Sequence, residues 1–282
     1  PMGIQPMRAA TVTKAQRPTG RKTSVPHILM APHAESDLLL NIALSQMWEA
    51  AKNACSSSDQ SVAKLVAEDF QPIEGVKHSF PGLFDELSAH SHSGRPIEVD
   101  RARDKALMEF RALRHIERRG LQDALLNDDA FLDLIFRIHR AVKGGGTQIR
   151  RGHMIIRPDE GGNLIIFPPW QLCDRLLRAL AGLLRDYMAI CPALCPVIAY
   201  VGIIHAHPFR DANGRTARLL FNLLLRHITG SRHFLPVSKI ELISDGGFLI
   251  KLRRALYGGE WEALTRFFAD ALTLSHKIQK NK

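Results

Sequence analysis

A polar stretch between two apolar runs places the strongest constraint on how this chain can fold. The stretch is HAHPFRDANGRTAR, residues 205–218. It is preceded by PVIAYVGII, residues 196–204, and followed by LLFNLLL, residues 219–225. Both flanks are apolar on nearly every side of a helix, which is typical of buried helices rather than surface ones. The sequence therefore predicts two core helices that meet at a polar loop.

Pro208 and the dipeptide at 213–214 mark the two ends of that loop. Proline disfavours helical geometry in the residue before it, so the first helix should end at His207. Asn-Gly is a turn dipeptide, and the second helix should begin near Gly214. The unpaired N–H groups of its first turn and the positive end of its dipole would face the loop. We therefore predict an anion site at the start of the second helix.

The side chains of the loop suit phosphate chemistry. Arg215 and Arg218 are three residues apart, so they share a helix face beside the predicted anion site. Asp211 is a carboxylate among these cations, and Mg²⁺ prefers such oxygen ligands. His207 supplies a base that works near neutral pH. Together these groups indicate transfer of a phosphorus group from a nucleotide.

The run from His207 to Arg218 resembles the signature of the Fic family, His-x-Phe-x-(Asp/Glu)-(Gly/Ala)-Asn-Gly-Arg-x-x-Arg. Every specified position of that signature is filled in this chain. Residues 152–169 also resemble the flap hairpin of the family, and residues 257–268 resemble its C-terminal helices. The resemblance covers roughly residues 130–275. It implies an all-α fold, a Fic-type helical bundle with one small β-hairpin flap.

The resemblance also implies an activity and a role for each matching residue. Fic enzymes usually transfer AMP from ATP to a Ser, Thr or Tyr hydroxyl of a target protein, which would make this chain a nucleotidyltransferase. His207 would be the general base that takes the hydroxyl proton. Asp211 would hold Mg²⁺ on the α- and β-phosphates. The nucleotide-binding residues would be Asn213 and Gly214 as the anion hole, Arg215 on the β-phosphate, and Arg218 on the γ-phosphate or a regulatory carboxylate.

Glu74 is the candidate for an inhibitory residue. Many Fic proteins carry an upstream helix with the motif (Ser/Thr)-x-x-x-Glu-(Gly/Asn), whose Glu pairs with the second signature Arg and blocks productive placement of the γ-phosphate. Here residues 74–75 match the last two positions, but Phe70 replaces the hydroxyl residue and Pro72 interrupts the helix. We predict that Glu74 pairs with Arg218 and inhibits transfer. The alternative is a solvated glutamate in a turn.

Other functions stay open at this stage. Doc-like proteins of the same fold move the γ-phosphate instead, and they resemble this chain at Ala212. They carry Lys where this chain has Gly214, which favours nucleotidyl transfer here, although other phosphate-containing donors also fit the signature. A toxin-like or nucleic-acid-binding protein without enzymatic activity is the alternative from another class, because the net charge is +10. The first 34 residues contain five basic residues and no acidic one, so they account for half of this positive charge. The rest of the chain is only modestly basic, and we therefore do not expect nucleic acid as the partner.

The chain is predicted to divide into three regions. Residues 1–33 are rich in Pro, Thr, Lys and Arg without apolar periodicity, and we predict a disordered basic arm there. Residues 34–129 should form an N-terminal helical region, and residues 130–282 the catalytic core, with the flap at about 152–168. Apolar periodicity predicts helices over 36–54, 61–70, 100–118, 129–142, 172–188, 248–257 and 261–275.

Composition limits where the protein works and what it binds. No apolar run approaches the roughly 20 residues of a membrane helix, and the first residues lack an apolar signal core, so we expect a cytoplasmic protein without a membrane partner. The four cysteines form no Cys-x-x-Cys pair, which argues against a zinc site or a disulfide framework. The expected partners are ATP and a target protein that docks on the flap hairpin. Self-modification and formation of a homo-oligomer are left open.

Overall fold

The structure, a computed structural model, describes residues 22–26, 28–32, 38–53, 79–84, 96–116, 121–156, 164–244 and 246–280. Most of these residues are helical, which confirms the predicted all-α class. The helices are α1 (Leu38–Asn53), α2 (Pro96–Ile116), α3 (Leu121–Leu126), α4 (Asp128–Lys143), α5 (Cys173–Ile190), α6 (Cys195–Ala206), α7 (Asn213–Thr229), α8 (Val237–Ile243), α9 (Gly247–Gly258) and α10 (Glu262–Lys280). The strands are β1 (Lys22–Ser24), β2 (Ile155–Ile156) and β3 (Leu164–Ile166).

Helices α6 and α7 form the centre of the bundle, as the two apolar runs predicted. Every residue of α6 except Ile204 is buried, and α7 is buried continuously over residues 216–226. Helix α6 packs against α5, where a Cβ added to Gly202 would lie 2.4 Å from the side chain of Leu180. Helix α7 packs against α2 and α4. Core helices therefore hold the loop between α6 and α7 at both of its ends.

Helix α4 supplies a second support for this loop. Its N-cap is Asn127, whose Oδ1 accepts hydrogen bonds from the N–H groups of Asp129 and Ala130 at 2.8 and 3.2 Å. Gly144 ends the helix with a φ of 76°. The buried stripe of α4 consists of six apolar residues and one polar residue, His139. That residue faces the loop, as described below.

The flap is a three-stranded sheet rather than an isolated hairpin. Strands β2 and β3 pair antiparallel, with Ile155 opposite Ile166 and Ile156 opposite Ile165. This pairing confirms the predicted hairpin. Strand β1 adds in parallel to the other edge of β3, which gives the strand order β1-β3-β2. The sequence did not predict β1, because residues 22–24 fall within the segment interpreted as a disordered arm.

Residues 22–26 and 28–32 lie against the core, in contrast to the disordered arm predicted for residues 1–33. Val25 is only 1% exposed, and its N–H donates to the Ile166 carbonyl at 2.8 Å. Main-chain carbonyls make the other contacts, accepting hydrogen bonds as follows: Pro26 from His205, Met30 from Trp261 and Pro32 from Tyr187. Because these bonds use backbone atoms, the composition of the arm gives no sign of them. Residues 1–21 lie outside the described residues, and the domain boundaries at 33 and 129 stay predictions.

Most of the helices predicted from periodicity are present, with ends that differ by a few residues. They correspond to α1, α2, α4, α5, α9 and α10. The helix predicted over 61–70 lies outside the described residues. Helices α3 and α8 were not predicted, because each has seven residues or fewer and shows little periodicity. Among the helices described, none combines the length and the apolar character needed to cross a membrane.

Candidate active site

His207 lies where the chain leaves α6. Its backbone is left-handed, with φ 43° and ψ 54°, because Pro208 prevents a helical continuation. The ring of Phe167, directly after β3, stacks on the imidazole with a centroid distance of 3.8 Å. Burial lowers the pKa of His207 to about 4; the Ile204 carbonyl opposes this shift and the charge of Arg150 adds to it. The imidazole is therefore neutral at pH 7 and can accept a proton.

The loop after His207 is held together by a buried amide and an aromatic stack. Asn213 Oδ1 accepts the Phe209 N–H at 3.0 Å, and Asn213 Nδ2 donates to the Phe209 carbonyl at 2.7 Å. The Phe209 ring is buried against His139, with a centroid distance of 3.7 Å. The buried Phe209 ring therefore anchors the loop against α4. The Asn213 side chain is used within the loop, so its main-chain N–H is the group left for an anion.

His139 connects α4 to the loop. Its Nδ1 lies 3.0 Å from Thr147 Oγ1, and its Nε2 lies 3.1 Å from the Asp211 carbonyl. Because a carbonyl only accepts hydrogen bonds, we assign the proton to Nε2. Burial lowers the pKa of His139, which favours the neutral form of the ring. Sequence reasoning missed this residue, although a polar side chain within the apolar stripe of α4 was a usable signal.

The first turn of α7 has the features of the predicted anion site. The helix begins at Asn213, next to the predicted start, and Ala212 turns the chain into it with a left-handed φ of 63°. A Cβ added to Gly214 would lie 3.3 Å from Arg218 Nη1. The absence of a side chain at Gly214 therefore leaves room next to the N–H groups of the helix start.

Asp211 and Arg215 form an ion pair beside that turn, with Arg215 Nη2 3.1 Å from Asp211 Oδ2. Arg215 Nη1 also donates to the Val142 carbonyl at 2.8 Å. The Asp211 side chain is 71% exposed, and its Oδ1 accepts the Ala212 N–H at 2.6 Å. Each of its oxygens keeps a lone pair, which fits Mg²⁺, since this ion is often held by one or two carboxylates together with phosphates and water. Within the described ranges no cluster of three or more His, Cys, Asp or Glu side chains could hold a metal by itself.

Arg218 is buried and paired with carboxylates from two other helices. Its Nε donates to Glu109 Oε1 of α2 at 2.8 Å, and its Nη1 lies 3.6 Å from Glu241 Oε2 of α8. The Tyr200 hydroxyl donates to Glu241 Oε1 at 2.9 Å. Burial acts against the charge on Arg218, but the carboxylates outweigh it and raise its pKa, so Arg218 stays a cation. Glu74, the partner predicted from the sequence, lies outside the described residues.

Arg150 links the loop to the flap, and sequence reasoning did not anticipate it. Its guanidinium donates to the carbonyls of His207 at 2.8 Å, Gly152 at 2.7 Å and Pro168 at 2.5 Å. Its main-chain N–H donates to the Pro208 carbonyl at 2.8 Å. The side chain is 2% exposed, and burial lowers its pKa. No pattern in the sequence marks it, because it is one basic residue in a Gly- and Arg-containing segment between α4 and β2.

His205 does not contribute to the group around His207. It is 1% exposed, and its Nε2 donates to the Pro26 carbonyl at 2.7 Å. His205 therefore faces away from the site and packs against the segment that contains Pro26.

Comparison with known proteins shows which family part of the chain matches. Residues 128–225, from the start of α4 to within α7, match the Fic/DOC family. The chain contains a Fic/DOC-family domain. Two solved structures share the fold of this chain. A Fic family protein from Desulfovibrio desulfuricans G20 has a TM-score of 0.53 and 16% identity over 89% of this chain and 77% of that one. A fragment of Fic-1 from C. elegans has a TM-score of 0.51 and 19% identity over 86% and 72%.

Curated relatives resemble the Fic domain at modest identity. The protein adenylyltransferase fic-1 of Caenorhabditis elegans is 30% identical over 113 residues, which are 39% of this chain and 22% of the relative. The protein adenylyltransferase Fic of Aedes aegypti is 28% identical over 190 residues, 62% of this chain and 36% of the relative. The chain thus spans only about a fifth to a third of the length of these relatives.

Proposed function

We propose that this Fic protein is a protein adenylyltransferase, which transfers AMP from ATP to a Ser, Thr or Tyr hydroxyl of a target protein. The observation that carries the proposal is a neutral, half-buried His207 at the end of α6, one short loop away from the open N-terminal turn of α7. The names of the relatives from C. elegans and A. aegypti support it.

In this reaction a target hydroxyl oxygen forms a bond to the α-phosphorus of ATP, and the bond from that phosphorus to pyrophosphate breaks. His207 takes the hydroxyl proton as general base. Its Nδ1 is buried, so Nε2 is the nitrogen that accepts the proton. The low pKa favours the neutral form of the ring, which is the form that a base requires.

The nucleotide phosphates are bound at the start of α7 in this proposal. The N–H groups of Asn213 and Gly214 form the anion hole, and the positive end of the helix dipole adds to the attraction. Arg215 contacts the β-phosphate and Arg218 the γ-phosphate, both as cations that match phosphate oxygens. Asp211 holds Mg²⁺, which when bound neutralises phosphate charge.

The target docks on the open edge of β2 in an extended conformation. The Phe167 N–H donates to the Met154 carbonyl, so these residues form a hydrogen-bonded pair. Antiparallel pairs alternate, so Ile155 and Ile166 form a pair without mutual hydrogen bonds, and the N–H and C=O of Ile155 point outwards. Within the described part of the chain, no strand takes these groups. A target strand can therefore bind them through its backbone.

Inhibition by Glu74 is part of the same proposal. The motif resemblance supports it, and the buried ion pairs of Arg218 show that this guanidinium already attracts carboxylates. A carboxylate on its remaining N–H groups would compete with a γ-phosphate for the same cation.

A labelling experiment tests the activity. The protein is incubated with α-labelled or γ-labelled ATP, alone and with a cell lysate as a source of targets, and His207→Ala serves as the control. We expect protein-bound label only from α-labelled ATP and only with the parent protein. Label from γ-labelled ATP would instead make this a Doc-like kinase, and ATP binding without either label would indicate a binding protein.

A further inference from the structure

The side chain of Arg150 joins three segments that a Fic reaction must keep in register. One bond goes to the carbonyl of His207 itself, one to Gly152 where the chain enters the flap, and one to Pro168 where it leaves. The residue between the flap and Pro168 is Phe167, whose ring stacks on His207. The base and both ends of the flap are therefore held by a single guanidinium.

Burying the Arg150 cation costs free energy that a residue with only a packing role would not cost. Burial of the Arg150 cation opposes its charge, and none of the ion pairs among the described residues includes Arg150. The hydrogen bonds of its guanidinium all go to main-chain carbonyls. A planar fork can serve three carbonyls in fixed directions, whereas the ammonium of lysine is a compact point charge. The site therefore depends on the fixed directions of the guanidinium N–H groups of Arg150.

His207 itself needs such support. His207 is a non-glycine residue with a left-handed backbone, a strained conformation that persists only where the surroundings fix it. Arg150 binds the carbonyls of two consecutive residues, that of His207 through Nε and that of Pro208 through its own main-chain N–H. Both carbonyls of this turn are therefore held by the same residue.

We propose that Arg150 is a positioning residue that fixes the His207 ring against the flap, so that the base meets a hydroxyl presented by a strand on β2. The inference rests on the proposed transfer reaction for its functional meaning. Arg150 does not contact the first turn of α7 in the structure, so its role is separable from nucleotide binding.

The first test needs no activity. Hydrogen exchange is measured in the full chain for Arg150→Lys, with Arg151→Lys as the matched control, because Arg151 is the exposed neighbour. We expect the amides of residues 152–156, His207 and Phe209 to exchange about tenfold faster in Arg150→Lys only, since local opening follows the loss of local bonds. Unchanged exchange in these segments would overturn the proposal, whether or not the parent protein transfers AMP.

The second test uses the reaction. With AMP transfer measured in the parent, Arg150→Lys should lower kcat by about 100-fold, since displacement of a reacting group by about 1 Å has that effect. The Kd for ATP should stay within about twofold and the melting temperature near that of Arg151→Lys. Equal losses in ATP binding and transfer, with a lower melting temperature, would show a purely structural role and refute the proposal.

Chemical rescue tests whether Arg150 acts through the forked geometry of its guanidinium or only through its charge. Arg150→Ala leaves space for a small cation, and millimolar guanidinium should restore part of its transfer activity, while the same concentration of ammonium should not. If both cations restored activity equally, the charge rather than the forked geometry would matter, and the proposal would be wrong. A parent protein that labels no target counts against the proposed function, whereas the exchange experiment still decides the role of Arg150.

Discussion

Burial changes the pH range in which His207 can act as a base. An unperturbed imidazole has a pKa near 6.5, whereas the pKa of His207 is lowered to about 4. The ring therefore stays neutral as the pH falls from 7 to about 5. We predict that kcat/KM for AMP transfer, which reports the free enzyme, keeps its value down to about pH 5 instead of halving near 6.5. A pH series of initial rates with the labelled target measures this.

The control for that series is Phe167→Ala. Removing the ring that stacks on His207 would expose the imidazole to water, and its pKa should rise towards the ordinary value. The acid limb should then move to higher pH in the variant. An acid limb at lower pH in Phe167→Ala than in the parent protein would contradict the assignment of His207 as the base.

Folding must be checked at each pH. A histidine whose pKa is lowered in the folded state makes the protein less stable as the pH falls below 6.5, and His233, with a pKa of about 3, has the same effect.

The residues of the site differ in how far the sequence could reveal them. His207, Asp211 and Gly214 lie in one short motif, so their proximity follows from the chain itself. Arg150 and Glu109 act through contacts with residues far away along the chain, 57 residues for Arg150 with His207 and 109 for Glu109 with Arg218. Such pairs depend on helix packing, and no local pattern encodes them.

At the scale of elements, the open edge of β2 carries the next prediction. Ile155→Pro removes the N–H that would bind a target strand, so transfer to the target should fall at least about tenfold while ATP binding is kept. Ile155→Ala is the matched control, because it retains the N–H and shortens a side chain that is already 48% exposed. Labelling of the target and ATP titration measure the two effects. A similar loss in both variants would point to the side chain rather than the backbone.

Strand β1 shows how far element prediction from sequence reached. Long helices such as α5 and α10 were recognised because their apolar residues recur at the helical period. Strand β1 has three residues and gains its place from backbone pairing with β3, which leaves no periodic signal. Its presence also bears on docking, because it covers the β3 edge of the hairpin, so that within the hairpin only the β2 edge is open to another strand.

For the whole molecule, Arg218 connects three helices into one unit. The ion pairs join α7 to α2 through Glu109 and to α8 through Glu241. Glu109 is fully buried, and burial raises its pKa even though Arg218 opposes that shift. Since α2 lies outside the segment that matches the Fic/DOC family, the domain is stabilised by a part of the chain beyond that segment.

Two glutamates can therefore be compared at the same arginine. Glu109→Gln should lower the free energy of unfolding by about 3 kcal/mol, because it leaves a buried guanidinium without its closest carboxylate. It should not raise AMP transfer. Glu74→Gly should raise AMP transfer, because it removes the proposed competitor of the γ-phosphate. Urea unfolding and labelling with α-labelled ATP measure both variants side by side. A rise in transfer for Glu109→Gln, with none for Glu74→Gly, would make Glu109 the residue that restrains Arg218 and would remove Glu74 from the mechanism.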